Sequence, residues 1–255
     1  MKPLFTIATV TYNAEATIER TLKSVALQDY AGIEHLIVDG CSKDRTLSLV
    51  KQYIEENKTP HSIRLISEPD KGLYDAMNKA LRKAKGDYIV FLNAGDCLRN
   101  SDTVSLLAQY DENGSLPAIL YGNTHLVDNE GHFLRLRRLS PPERLTPDSF
   151  LDGMLVCHQS FYVRTDIARQ ELYDLRYRYS ADFDWCIRII QRATRLGLKI
   201  VNTHLVLTDY LNEGLTTRNH HASLLERFRI MTRHYGWIPT IIRHIWFVVR
   251  AIIKK

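Results

Sequence analysis

Several features that would assign this 255-residue sequence to a familiar class are absent. Its four cysteines lie far apart, form no C-x-x-C pair and have no histidine at zinc-ligand spacing, which argues against a disulfide scaffold or a structural zinc site. No stretch reaches the ~18 consecutive apolar residues that a membrane-spanning helix needs. The first residues, Met-Lys-Pro, lead into an apolar run with no secretory signal. We therefore expect a cytoplasmic protein with reduced thiols.

Two phosphate-binding motifs are also missing. The dinucleotide fingerprint G-x-G-x-x-G is absent after the first apolar run, where the chain reads T-Y-N-A-E-A-T, and no Walker A loop occurs. A bound diphosphate would then be neutralised by Mg²⁺ or Mn²⁺ held on a carboxylate. A net charge of +5 and a pI near 9.0 suit an anionic partner, whether a nucleotide, a nucleic acid or an acidic membrane surface.

Short apolar runs alternate with helical patterns in the first half of the chain. Such alternation predicts a parallel sheet covered by helices. We expect one helix to be capped by Asn13 and a second to begin at Ser42 or Asp44. A third helix is expected from Leu73 to Lys85. The predicted strands run from Phe5 to Val10, from Leu36 to Val38, from Ile63 to Ile66 and from Tyr88 to Leu92.

The regular alternation of predicted strands and helices ends after residue 115. The pattern there predicts a helix from Asp182 to Leu196 and a hairpin around Asp128-Asn129-Glu130-Gly131. The overall prediction is an α/β fold with a mostly parallel central sheet, helices on both faces and a smaller antiparallel portion in the same sheet. The strands expected in this half run from Ala118 to Val127, from His132 to Leu139, from Met154 to Val163 and from Leu198 to Tyr210.

Polar residues follow each of the first four predicted strands. The carboxyl ends of parallel strands meet at one edge of an open α/β sheet, where such sheets bind ligands. Helix capping accounts for any one of these residues but not for all four sets together. The sets are Thr9, Tyr12 and Asn13 after the first strand, Asp39 after the second, Glu68 and Asp70 after the third, and Asn93 and Asp96 after the fourth.

Six motifs in order along the chain resemble those of the family 2 glycosyltransferases. That family contains inverting enzymes with a nucleotide-sugar-binding fold of the GT-A type. The run E-P-D-x-G-x-Y-D-A-M-N and the N-x-G-D variant are closest to members that assemble bacterial exopolysaccharide, colanic-acid-like or O-antigen glycans. The motifs are T-V-T-Y-N (9–13), I-V-D-G-C-S-K-D-R-T (37–46), S-E-P-D-K-G-L-Y-D-A-M-N-K (67–79), F-L-N-A-G-D (91–96), H-Q-S-F (158–161) and S-A-D-F-D (180–184).

The resemblance implies a role for each matching residue. Asp182 matches the catalytic base, whereas Asp184 lies two residues further on and faces elsewhere. Asp96 matches the last acid of the family's D-x-D region and is the expected ligand of Mn²⁺ or Mg²⁺. Asn93, His158 and Gln159 match positions near the donor sugar and acceptor. The expected nucleotide-binding residues are Thr9, Tyr12, Asn13, Asp39, Asp70, Lys71 and Asn78.

The sequence departs from the family pattern in two places. Asn93 and Gly95 stand where many members carry acids, which predicts weak metal binding in the absence of nucleotide. Gly214, in N-E-G-L-T-T, loosely replaces a G-G-x-S loop near the active site.

The resemblance implies inverting transfer of a sugar from a nucleotide-sugar, for which a UDP-sugar is expected, to a lipid-linked glycan. Two alternatives stay open: a sugar-phosphate nucleotidyltransferase, which would be expected to bring a Gly-rich phosphate loop, and a nucleotide-sugar-binding protein without turnover. A glycosidase is disfavoured because no pair of carboxylates is predicted to flank one bond. Nucleic acid is not an expected partner, and homo-oligomerisation stays open.

The C-terminal residues form a basic amphipathic pattern. Isoleucines and valines recur at steps of three and four from Ile238, while Arg243, Arg250 and Lys254 fall on another face. Such a helix would lie in an anionic membrane interface at the cytoplasmic face, or pack on the catalytic domain or a second subunit. We expect a catalytic domain over 1–217, with a nucleotide-binding half (1–115) and an acceptor half (116–217), and a helical segment over 218–255.

Overall fold

Four parallel strands form one half of the central sheet. They are β1 (Phe5–Thr11), β2 (Ile33–Asp39), β3 (Ser62–Ser67) and β4 (Tyr88–Phe91), ordered β3-β2-β1-β4. The computed structural model describes residues 2–111, 114–212 and 220–253. Because all four strands run the same way, the segments that follow them emerge at one edge of the sheet.

The second half of the chain extends the same sheet, as predicted. β8 pairs antiparallel with β4, so the start of β8 lies at the edge where β4 ends. β6 pairs parallel with β9 and antiparallel with β7 and β8, and β5 pairs antiparallel with β9. The added strands are β5 (Cys97–Leu98), β6 (Ile119–Val127), β7 (Phe133–Leu136), β8 (Phe161–Arg164) and β9 (Ile200–Leu211).

Helices cover both faces of the sheet, because alternate residues of the buried strands point to opposite sides. One face packs against α3 (Leu73–Lys83) and α6 (Ala181–Arg195), and the other packs against α1 (Ile18–Ala26), α2 (Thr46–Glu56) and α4 (Thr103–Leu107). Trp185 of α6 is the largest buried side chain and stacks on Tyr173 at 4.9 Å between ring centroids. The first six helices are α1 (Ile18–Ala26), α2 (Thr46–Glu56), α3 (Leu73–Lys83), α4 (Thr103–Leu107), α5 (Thr165–Ala168) and α6 (Ala181–Arg195).

Two helices, α7 (His220–Tyr235) and α8 (Trp237–Ile253), form a hairpin at the C-terminal end. α7 packs beside α6, and α8 packs against the turn Pro147–Asp152, where Arg243 pairs with Asp152 at 3.0 Å. No helix in the described part of the chain combines the length and apolar character needed to cross a membrane.

Three sequence-based expectations are wrong in detail. The second helix, α2, begins at Thr46 after Arg45, and not at Ser42 or Asp44. Asn13 does not cap α1; Thr17 precedes that helix, and Asn13 adopts a left-handed conformation with φ 48°. The strand expected from Met154 is confined to Phe161–Arg164, because His158–Ser160 form a 3-10 turn instead. This turn aims two polar side chains at the edge where β4 ends.

Candidate active site

The polar residues that follow β1 to β4 converge at one edge of the sheet, together with the turn His158–Ser160 that begins β8. β2 and β4 flank β1, so Asp39 and the segment after β4 are separated by two strand spacings, about 10 Å. That distance suits a ligand with a base at one end and a diphosphate at the other.

Asp39 organises the part of the edge beside β2. Its carboxylate accepts hydrogen bonds from the Ser42 hydroxyl, from the Ser42 amide at 3.0 Å and from Ser67 Oγ at 2.8 Å. Asn13 completes this cluster: its amide donates to Ser42 Oγ at 2.9 Å and its Oδ1 accepts from the Lys43 amide at 2.8 Å. Asp39 and Asn13 therefore brace two loops against each other at the rim.

The side chains of Tyr12 and Asp70 both lie close to the backbone of Gly40. A Cβ at position 40 would collide with the Asp70 carboxylate and lie 3.3 Å from Tyr12 Cδ2. The Tyr12 ring is 58% exposed, so it offers a free aromatic face. Lys71 is also exposed and follows Asp70 in the loop before α3. At this end of the edge, called the groove below, Tyr12 and Lys71 are exposed and Asp70 is half-buried, whereas Asp39 is fully buried beneath its hydrogen bonds.

Two of the predicted nucleotide-binding residues do not reach this groove. Thr9 is fully buried two residues before the end of β1, and its hydroxyl lies 3.0 Å from Nε2 of His35, whose pKa burial lowers to about 3. Asn78 is also buried; it donates to the Tyr173 carbonyl at 2.9 Å and accepts from the Tyr173 amide at 2.7 Å. Both side chains are engaged in internal packing contacts.

Asp96 ends a tight turn after β4. The Asp96 amide donates to the Asn93 carbonyl at 3.0 Å, and Gly95 has φ 104°, a conformation that glycine adopts readily. A Cβ at position 95 would lie 2.9 Å from Leu211 Cδ2. The turn therefore excludes at Gly95 the acid that many relatives carry, and only Asp96 brings a carboxylate.

The Asp96 carboxylate is buried and lacks a cationic partner among the described residues. Oδ1 accepts from the Leu211 amide at 3.0 Å and Oδ2 accepts from Gln159 Nε2 at 2.8 Å. Burial raises the pKa of Asp96 to about 6, although these hydrogen bonds oppose that rise. Asn93 Oδ1 is buried without a hydrogen-bond partner. A carboxylate and a free amide oxygen are ligands that Mg²⁺ and Mn²⁺ accept, so these residues fit a divalent cation.

A second cluster of possible metal ligands lies in the hairpin turn between β6 and β7. It consists of Asp128, Glu130 and His132, whose ligand atoms lie within 4.8 Å of one another. Glu130 and His132 are exposed, and His132 already pairs with Asp128 at 3.2 Å. It does not include Asp96.

Asp182 lies in the first turn of α6 and faces the same edge. Its Oδ1 accepts from the Tyr74 hydroxyl at 3.0 Å, and its Oδ2 lies 3.3 Å from His158 Nδ1. His158 Nε2 lies 3.3 Å from the Asn93 amide nitrogen. His158 and Gln159, adjacent in the chain, thus connect Asp182 to Asp96.

The surroundings of Asp182 keep it ionised. Burial opposes ionisation, but the hydrogen bond and charge of His158, the charge of Arg227 and the Tyr74 hydroxyl outweigh it and lower the pKa of Asp182. Asp184 faces away, as expected, and pairs with Arg188 at 2.7 Å and His234 at 2.8 Å. One carboxylate in the motif is thus free to accept a proton, and the other is committed to ion pairs.

The hydrogen bond from Tyr74 to Asp182 is not predicted from the sequence. Tyr74 belongs to the motif S-E-P-D-K-G-L-Y-D-A-M-N, and its ring stacks on Tyr173 at 5.4 Å between centroids. The signal available in the sequence was its place in the first turn of α3, directly after the loop that carries Asp70 and Lys71. Its partner lies more than a hundred residues away, so spacing alone does not reveal the contact.

Solved structures share this fold. S. aureus TarS 1-349 in complex with UDP-GlcNAc superposes with a TM-score of 0.66 over 91% of this chain at 20% identity. The mannosyltransferase PcManGT from Pyrobaculum calidifontis, in complex with GDP-Man and Mn²⁺, gives a TM-score of 0.62 over 92% of this chain at 20% identity. This chain spans 65% and 64% of those two chains, respectively. The likeness establishes the GT-A fold expected from the motifs.

The family follows from the sequence comparison. Residues 6–172 match the model of Glycosyl transferase family 2, so the chain belongs to that family of glycosyltransferases. A PGL/p-HBAD biosynthesis glycosyltransferase of Mycobacterium bovis is 29% identical over 91% of this chain and 86% of its own length. TuaG of Bacillus subtilis, named provisionally for teichuronic acid biosynthesis, is 40% identical over 61% of this chain and 60% of its own. Asp182 lies beyond the matched segment.

We expect Tyr74→Phe to raise the pKa of Asp182. The substitution removes the hydrogen bond that stabilises the ionised carboxylate and leaves its burial unchanged. Carbon-13 NMR titration of the aspartate carboxyl signals, assigned with Asp182→Asn, measures the effect. The control is Tyr53→Phe, which removes a hydroxyl that contacts His35 instead. An unchanged Asp182 titration in Tyr74→Phe would contradict the assignment.

Proposed function

We propose that this protein transfers a sugar from a UDP-sugar to a hydroxyl group of a lipid-linked glycan, with inversion at the anomeric carbon. Asp182 is the general base, and a divalent cation is bound at Asp96. The observation that carries the proposal is the continuous network from Asp96 through Gln159 and His158 to Asp182. It spans the two functions that such a transfer needs, a site for the leaving diphosphate and a proton acceptor.

Inverting transfer is a single displacement. The acceptor oxygen bonds to the anomeric carbon as the bond from that carbon to the diphosphate oxygen breaks, and the acceptor proton moves to the base. Asp182 can take this role because its lowered pKa keeps it ionised, its side chain is 16% exposed, and each carboxylate oxygen keeps a lone pair beyond its one hydrogen bond. Tyr74 and His158 hold the carboxylate in one orientation.

The groove beside β2 is assigned to the nucleoside. Tyr12 would stack on the base, and Asp39, Asn13 and Asp70 would surround the ribose and base edge. Lys71 lies in the same loop as Asp70 and carries the positive charge that a diphosphate attracts. Thr9 and Asn78 would support the nucleotide site indirectly, since their internal hydrogen bonds hold β1 and α3 in place. UDP is favoured because the solved TarS complexes contain UDP and UDP-GlcNAc.

Asp96 and Asn93 would hold Mn²⁺ or Mg²⁺ on the diphosphate side of the site. When bound, such a cation stabilises the negative charge of the leaving diphosphate. The chain's own part is to keep the Asp96 carboxylate dry and oriented through Gln159 and Leu211. The Mn²⁺ present with GDP-Man in the PcManGT structure supports the choice of metal.

A membrane surface is the proposed location of the acceptor. One face of α8 is apolar and exposed, with Trp237 at 66% and Ile238 at 73% exposure, and it continues through Ile241, Ile245 and Trp246. Arg243 lies on the opposite side of α8 and pairs with Asp152, and the net charge of +5 favours an anionic interface at the cytoplasmic side. The relatives named for PGL/p-HBAD biosynthesis and for teichuronic acid biosynthesis support an acceptor in cell-surface glycan assembly.

Each of the three segments of the chain is assigned a separate part of the proposed site. Residues 1–115 supply the nucleotide groove and Asp96, residues 116–217 supply His158, Gln159 and Asp182, and residues 218–255 supply the helical hairpin. The boundary at 217 and the loop containing Gly214 lie outside the described residues.

Asp182→Asn is expected to lower kcat by about 10²–10⁴ while donor binding is retained, because general-base help has that magnitude and asparagine keeps the shape. UDP release from a panel of UDP-sugars with Mn²⁺ measures turnover, and calorimetry with UDP measures binding. Asp184→Asn tests whether loss of a neighbouring carboxylate has the same effect through stability alone. Full activity in Asp182→Asn would remove the base assignment, and absence of turnover with every donor in the parent would favour a binding protein.

Mn²⁺ binding is expected to weaken as the pH falls through about 6. The cation requires the ionised Asp96 carboxylate, and a proton competes for it below its pKa. The Mn²⁺-induced rise in melting temperature in the presence of UDP should therefore be large at pH 7.5 and small at pH 5. Asp96→Asn should abolish it, whereas Asp128→Asn, in the other ligand cluster, should leave it intact. The reverse pattern would place the cation in the hairpin turn.

Ile241→Glu combined with Ile245→Glu is expected to reduce vesicle binding by more than about tenfold, because each buried isoleucine contributes roughly 1.5–3 kcal/mol. Cosedimentation with phosphatidylglycerol-containing vesicles measures it. Leu196→Glu is the control, since Leu196 is exposed at the end of α6, outside the hairpin. Equal sedimentation of parent and double variant would refute the membrane surface, and loss of a dimer in gel filtration would assign the face to a second subunit.

A further inference from the structure

The N-terminus of α6 is held by α7 instead of by its own capping residue. Ser180 occupies the N-cap position but makes no side-chain capping hydrogen bond. Its hydroxyl instead lies 2.9 Å from Ser223 Oγ of α7, and both serines are buried. Because an N-cap serine normally satisfies a backbone amide of the first turn, this exchange moves part of the anchoring of α6 to another helix.

Glu226 of α7 provides the strongest part of this anchor. Its Oε1 accepts from the Arg178 amide at 2.8 Å, and its Oε2 accepts from the amides of Tyr179 at 2.8 Å and Ser180 at 2.9 Å. Three consecutive backbone N–H groups thus converge on one carboxylate. Hydrogen bonds to a charged acceptor are shorter and stronger than neutral ones, so the carboxylate fixes the backbone conformation of this segment.

The segment that Glu226 fixes ends two residues before Asp182. α7 also contacts the residues on the far side of Asp182: Arg227 lies over the Phe183 ring at 5.8 Å, and His234 pairs with Asp184 at 2.8 Å. α7 therefore brackets the first turn of α6 on both sides. Among the described residues, the Asp182 carboxylate is contacted by Tyr74 and His158, so its orientation depends on where this turn lies.

We propose that Glu226 is a positioning residue for the reaction, and that it places Asp182 by holding the backbone of Arg178, Tyr179 and Ser180. The inference rests on the proposed function, in which Asp182 is the general base. A displacement near 1 Å of a reacting group can lower a rate by about 10²-fold without changing ground-state binding. Loss of Glu226 should therefore act on kcat and leave the nucleotide groove, at the other end of the site, unaffected.

The test compares Glu226→Ala and Glu226→Gln with the parent. In the glutamine variant one acceptor oxygen becomes an amide group that faces backbone donors, so the anchor is weakened while the volume is kept. We expect kcat to fall by about 10²-fold for alanine and about tenfold for glutamine, with KM for the donor within about threefold. The assay is UDP release from UDP-GlcNAc, or from the UDP-sugar that gives turnover, with Mn²⁺. Arg229→Ala, on the exposed side of α7, is the matched control.

A second readout does not depend on turnover. If the first turn of α6 shifts, the hydrogen bonds from Tyr74 and His158 to Asp182 lengthen, so the pKa of Asp182 should rise in both variants. An unchanged kcat and an unchanged Asp182 titration in folded Glu226→Gln would overturn the inference while leaving the base assignment intact. If Glu226→Ala does not fold, Ser223→Ala replaces it, with a smaller effect expected in the same direction. Full activity in Asp182→Asn, measured in parallel, would instead reject the proposed function.

Discussion

The structure of the site depends on how two largely buried carboxylates are satisfied. An ionised carboxylate in a protein interior is costly unless hydrogen bonds or a cation compensate it. Here one short 3-10 turn supplies a partner to each: Gln159 donates to Asp96 and His158 contacts Asp182. The antiparallel pairing of β8 with β4 brings that turn to the edge where the parallel strands end. The polar network therefore depends on the sheet topology, which places the turn beside both carboxylates.

The C-terminal helical hairpin also contacts the segment that carries Asp182. Glu226 of α7 holds the start of α6, and α8 continues from α7 with an exposed apolar face. A surface on which α8 rests would therefore be connected to the start of α6, and so to Asp182, through α7. The family match ends at residue 172, whereas Asp182 and both helices of the hairpin lie beyond it. The segment outside the match thus completes the catalytic half of the protein under the proposed mechanism.

The sequence predicts the secondary-structure elements and the edge of the sheet at which the polar residues meet. It does not predict the contacts between residues that are distant in the chain. Hydrophobic periodicity and the alternation of strands with helices are local properties, and parallel strands send their ends to one side whatever the details. The burial of Thr9 and Asn78 is not predictable from the sequence, because a polar residue near a strand end or in a motif can equally well be satisfied inside, by His35 or by the Tyr173 backbone. Tyr74 and Glu226 were missed because their partners come from remote segments of the chain.

The turn after β4 brings a single acid, Asp96, to that edge. A second carboxylate at position 95 would have to adopt a left-handed conformation against Leu211, and two buried negative charges would repel each other. With only Asp96 and the free oxygen of Asn93, a cation finds too few protein ligands to bind tightly on its own. The phosphates of the donor would supply the remaining oxygens. Under the proposed function, the metal and the nucleotide-sugar therefore bind together, and the Asp96 carboxylate gains a bound cation only when the donor is present.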